Sequence, residues 1–79
     1  MSKIIEGYLA YDFKDQRYQV CYGIEQYTPG LHCGEVLEIF VPERNKWERG
    51  RLEMSVQGEW YLYGVPDVLL SGARVRYER

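Results

Sequence analysis

The apolar residues of this chain alternate with polar ones in short runs, and each run stops at a cluster of turn-forming residues. A period of two sends successive side chains to opposite faces of a strand. Nowhere does the chain keep the i, i+3, i+4, i+7 spacing of an amphipathic helix, so it is confined to an all-β fold. Residues 4–11 (IIEGYLAY) are β-branched and aromatic, although Gly7 breaks the alternation and leaves open which face turns inward. Residues 12–16 (DFKDQ) supply the turn, and 17–24 (RYQVCYGI) alternate again, with Tyr18, Val20, Tyr22 and Ile24 on one face. So short a connection requires an antiparallel hairpin.

Residues 25–34 form the longest irregular stretch, with a turn at Pro29-Gly30. A third strand, 35–41 (EVLEIFV), puts Leu37, Ile39 and Val41 on one face. After the polar loop 42–46, a fourth strand over 47–54 carries Leu52 and Met54 on one face and Arg49, Arg51 and Glu53 on the other. Gly50 inside it predicts a bulge or kink. A tight turn at 55–58 leads to a fifth strand, 59–63 (EWYLY), where Tyr61 and Tyr63 oppose Trp60 and Leu62. Residues 65–72 fit a short 3₁₀ turn, and 73–77 (ARVRY) close with Val75 inward.

Five to six short strands in 79 residues make one domain, 1–79, that must dispose of its sheet edges. Closure of a strongly bent sheet into a small barrel is the economical solution. The order of elements matches an SH3-like barrel with a 3₁₀ turn before the last strand. LAYDF (9–13) resembles the ALYDY stretch of SH3 domains, and GEVLEI (34–39) resembles their GD-x-L-x-I strand. Trp47 falls roughly where those domains carry a ligand-binding tryptophan. The segment VPDVLLSG lacks their P-x-N-Y residues, so a proline-peptide groove is not expected.

A second resemblance covers most of the chain. GLHCGE, then Trp47, Arg51 and Glu53 as W-x-x-x-R-x-E, then GEWYLYG and LSG-x-x-V-R are similar to a family of small proteins of Firmicutes and their phages and mobile elements, described as a domain of unknown function. The resemblance implies a bacterial cytoplasmic protein, phage-borne or carried by a mobile element, and brings no activity with it.

Catalysis finds few parts here. The only histidine, His32, adjoins Cys33, and a nucleophilic cysteine needs a base in hydrogen-bond reach. Neighbours on an extended chain point to opposite faces, so the two do not serve each other. Cys21, His32 and Cys33 are one ligand short of a structural zinc site. The plainer reading of TPGLHCGEV is a corner into a strand, shaped by Gly30 and Gly34, with Leu31 and Cys33 inward and His32 at the surface. No cofactor is expected, and the protein is expected not to be an enzyme. No apolar run approaches the ~18 residues of a membrane span. With no export pattern ahead of the domain, both cysteines are expected free in a reducing cytoplasm.

The aromatics and arginines are the remaining material for function. Eight tyrosines and two tryptophans exceed what so small a core can hold. Tyr11, Phe13, Tyr27, Trp47 and Tyr63, with Arg49 and Arg51 as polar anchors, are the expected binding surface for an unidentified protein partner. A phage inhibitor or adaptor docking on a host enzyme would use that same surface. Homodimerisation through the aromatic face or an edge strand is compatible with it too. The alternative is a nucleic-acid barrel using Lys46, Arg49, Arg51, Arg74 and Arg76 with stacking rings. The net charge of −2, and Glu43, Glu48 and Glu53 among those same residues, weigh against it.

Overall fold

The computed structural model describes residues 3–79. Seven strands follow one another: β1 (Ile4–Asp12), β2 (Arg17–Gly23), β3 (Gln26–Tyr27), β4 (Val36–Val41), β5 (Lys46–Met54), β6 (Trp60–Tyr63) and β7 (Arg74–Glu78). The all-β reading holds, and no helix forms among the described residues. The strands make one antiparallel sheet in the order β3-β2-β1-β7-β4-β5-β6, so the last full strand inserts between the first hairpin and β4. Four-residue turns close two hairpins, after the pairs Asp12↔Arg17 and Val41↔Lys46. Asn45 takes the left-handed conformation (φ 50°) that its short amide side chain tolerates.

The core lies on one face of this sheet. Leu9, Val20, Leu37, Ile39, Leu52, Leu62 and Val75 are sealed there, joined by Leu31, Val65 and Leu70 from the connections. Gly7 shares the inward face with Ile5 and Leu9, and a Cβ there would clash with the Cys21 carbonyl. The buried Thr28 is fully tied down: its N–H donates to the Val20 carbonyl at 3.0 Å, and its Oγ1 accepts from the Val20 N–H at 2.9 Å.

Several expectations are corrected. Backbone pairing does not close the sheet into a barrel: β3 and β6 remain its two ends. Both are short, and segment 28–31 covers the free edge of β2 through Thr28 and Leu31, whose N–H donates to the Tyr18 carbonyl at 2.8 Å. The sheet curls far enough for β6 to meet the first hairpin, since Trp60 Nε1 donates to the Gln16 carbonyl of the first turn at 3.1 Å. Residues 65–72 form separate turns rather than a 3₁₀ helix. Val65 and Leu70 are each drawn into the core from that segment, which spreads the chain between them.

Gly50 sits in unbroken register opposite Leu37, so it marks no bulge. It is required because a Cβ would lie 2.5 Å from Leu62 Cγ on the neighbouring strand. The bulge falls instead between Cys21 and Gly23, where β2 meets β3. It ends the inward alternation of β2 and leaves Ile24 93% exposed. Met54, paired with Trp60 at the turn end of the β5–β6 hairpin, is exposed as well.

Candidate functional site

Cross-strand register assembles the outward side chains into rows. Residues directly opposite each other share a face. Tyr27 faces Cys21, Cys21 faces Tyr8, and Tyr8 faces Arg74. On the next two strands, β4 and β5, Phe40 faces Trp47. The Phe40 and Trp47 rings meet edge-on at 5.5 Å, and Arg74 lies across both, 5.9 Å and 5.4 Å from their centroids. The adjoining row is ionic and alternates in sign: Glu6, Arg76, Glu38, Arg49 across β1, β7, β4 and β5. A third row pairs Val36 with Arg51 and Arg51 with Tyr63.

Stacking and ion pairs hold these arginines in place. The Arg76 guanidinium lies 3.8 Å from the Trp47 centroid, with Nε 3.3 Å from Glu38 Oε1. Arg51 bonds Glu53 at 2.5 Å and covers the Tyr63 ring at 5.0 Å. Arg74 Nε donates to Glu6 at 2.9 Å, which raises the Arg74 pKa further. Among the described residues, Arg49 makes no ion pair. Contacts between a guanidinium and a ring strengthen when water is excluded.

Of the expected binding residues, Tyr27, Trp47, Arg49, Arg51 and Tyr63 share this outer face. Tyr11 and Phe13 do not. Tyr11 falls on the inward parity of β1 beside Ile5 and Leu9, and packs at 5.0 Å against both Tyr18 and Phe13 at the end of the first hairpin. Phe13 projects from the turn, 83% exposed. Lys46 also leaves the basic set, because it pairs with Val41 on the inward parity of β5. Tyr8, Phe40 and Glu38 belong to the face although their composition did not mark them. Their signal was position, each lying between two buried neighbours along its strand.

The His32-Cys33 corner is tied down by Glu35. The Glu35 carboxylate accepts the His32 backbone N–H at 2.6 Å and the Tyr77 hydroxyl. One side chain thus ties the corner to the last strand. Burial, and then that hydrogen bond, push the Tyr77 phenol up to about 12. Gly34 carries the turn at φ 92°, and Leu31 is buried as expected. Cys33 is exposed, contrary to expectation, because Glu35 rather than the thiol fills the corner. No cluster of three metal-ligating side chains occurs among the described residues. Nor is any helix there long and apolar enough to cross a membrane.

A family model described as a domain of unknown function (DUF5348) matches residues 7–77. No curated protein matches the chain. The crystal structure of a protein from Ruminococcus gnavus, a structural-genomics target, is similar to it at 39% identity and a TM-score of 0.78. That likeness spans 90% of this chain and 97% of the other. It accords with the Firmicutes resemblance read from the sequence.

Proposed function

This chain belongs to the DUF5348 family, and we propose that it is a non-enzymatic module that binds protein through the outer face of its sheet. The supporting observation is the assembly of Trp47, Phe40 and Tyr63 with Arg74, Arg76 and Arg51 lying across their rings. Aromatic and arginine side chains are the usual anchors of protein interfaces. The SH3-like character of the fold is part of this proposal, on the strength of the Trp60–Gln16 contact that draws β6 against the first hairpin. Two unpaired cysteines favour the reducing cytoplasm as its place of work, and carriage by a phage or mobile element follows the family resemblance.

Nucleic acid is the second reading, supported by four arginines (Arg49, Arg51, Arg74, Arg76) on one face. Glu6, Glu38 and Glu53 pair with three of them, which removes most of the field that phosphates need. The test is capture from a Firmicutes lysate, with and without nuclease, using wild type and Trp47→Ala. A protein retained after nuclease and lost with Trp47→Ala supports the proposal. Recovery of nucleic acid alone, with affinity falling steeply in salt, overturns it in favour of the second reading.

A further inference from the structure

We propose that the first half of β1 is a docking edge, where an acidic, extended segment of another protein adds as a strand. β1 outruns its neighbour. Ile4–Tyr8 pair with β7 on one side, whereas pairing with β2 on the other side begins only at Tyr8↔Cys21. β2 bulges between Cys21 and Gly23 to meet β3, and its register gives the first residues of β1 no partner.

The direction of the open backbone groups follows from the pairing with β7. Lys3 and Arg79 exchange both of their backbone hydrogen bonds, at 3.1 Å and 2.9 Å. In an antiparallel pair such residues alternate with residues whose groups point away. Ile5 and Gly7 therefore bond toward β7, while the N–H and C=O groups of Ile4 and Glu6 point to the other side. A hollow of about 460 Å³ lies there, lined by Lys3, Ile4, Ile5, Glu6, Tyr22 and Arg79. Ile4 and Glu6 are outward residues and Ile5 is an inward one. Both parities line one hollow only when it runs beside the strand rather than over a face. Unpartnered edge groups are a template for a further strand. A strand added beside β1 follows the curl of the sheet, so the curvature does not obstruct it.

The side chains name the occupant. Ile4 and Tyr22 are exposed and give one face of the added strand an apolar wall. Lys3 and Arg79 make no ion pair among the described residues, while Glu6 is neutralised by Arg74. Glu78 lies opposite Ile4 on the β7 side and lines a different hollow. Positive charge is thus in excess beside the edge. Lys3 and Ile4 fall on opposite faces, so the segment that fits alternates acidic with apolar residues. A second copy of this chain brings the same two cations and lacks that charge. The edge is three strands away from β5 and Trp47, so the inference does not rest on the outer face.

The probe is a capped peptide of about eight residues, a usual strand length, alternating valine and glutamate. Its counterpart carries lysine in place of glutamate. Each is titrated to about 1 mM into the isotope-labelled full chain and followed by NMR. In the free chain, the amides of Ile4 and Glu6 should exchange with solvent roughly tenfold or more faster than those of Ile5 and Gly7. The glutamate peptide should slow exchange at Ile4 and Glu6 and shift their signals and those of Tyr22. It should bind roughly tenfold tighter than the lysine peptide at low salt, and Lys3→Glu should remove that preference. Circular dichroism establishes that the variant is folded; should it not fold, the two peptides on wild type decide. Trp47→Ala should bind the glutamate peptide as wild type does, which separates this edge from the outer face.

Slow exchange at Ile4 and Glu6 in the free chain, no shift at these residues, or equal affinity for the two peptides overturns the inference. Shifts of the same amides with protein concentration alone give the edge to a second copy and overturn the acidic assignment.

Discussion

On β7, Val75 is sealed in the core, while its immediate neighbours Arg74 and Arg76 lie across Phe40 and Trp47 on the other side of the sheet. The same strands therefore carry two faces held by different forces. The inner face is held by exclusion of water from Leu37, Ile39, Leu52, Leu62 and Val75, which needs volume and no particular partner. The outer face is held by one-to-one matching of charges and rings, each pair of which contributes little while exposed. Substitution inside should therefore cost stability, and substitution outside should cost association.

The largest expected effect is the direct contrast. Ile39→Ala should lose about 2–5 kcal/mol of unfolding free energy in urea, while Trp47→Ala loses roughly 1 kcal/mol or less together with partner binding. Equal destabilisation by the two would erase the distinction between the faces. Gly50→Ala comes next, at about 1–3 kcal/mol, because the added methyl has to displace Leu62 from 2.5 Å. A neutral result would mean that the core shifts to admit it.

A pH-dependent effect sharpens the boundary between the faces. Tyr77, packed against the core and bonded to Glu35, titrates near 12 in the fold, against about 10 in the unfolded chain. From about pH 10 to about 12 the folded state holds the extra proton, so stability falls as pH rises through that window and the full contribution is present below it. Tyr77→Phe should flatten that part of the stability curve, read as urea midpoints from about pH 9 to 12. An unchanged slope would detach Tyr77 from the effect. Smallest is Arg51→Ala, at about 0–1 kcal/mol and vanishing in high salt, since its pair with Glu53 is half exposed.

Much of the strand framework could be read from alternation alone. Leu37, Ile39, Val41, Leu52, Leu62 and Val75 fall inward where the period of two puts them. The period fails at strand ends, because a bulge breaks the alternation or the strand runs on past the core: Ile24 and Met54 are the cases here. Gly50 was legible as unusual but not as to cause, since its reason is the Leu62 side chain on another strand. The candidate surface divides in the same way. Trp47, Arg49, Arg51 and Tyr63 were visible as types and lie together, whereas Tyr11 matched by type and lies on the opposite parity.

The sequence by itself determined the longer strands and most of their inward residues, because period and composition act within a few residues along the chain; β3 (Gln26–Tyr27), inside a stretch that reads as irregular, escaped it. The order of strands was decided only by tertiary structure. Inserting β7 between β1 and β4 carries Arg74 and Arg76 some thirty positions back along the chain, onto the face of Trp47, Arg49 and Arg51. That neighbourhood depends on long-range backbone pairing, and local pattern holds no record of which strand will supply the next edge.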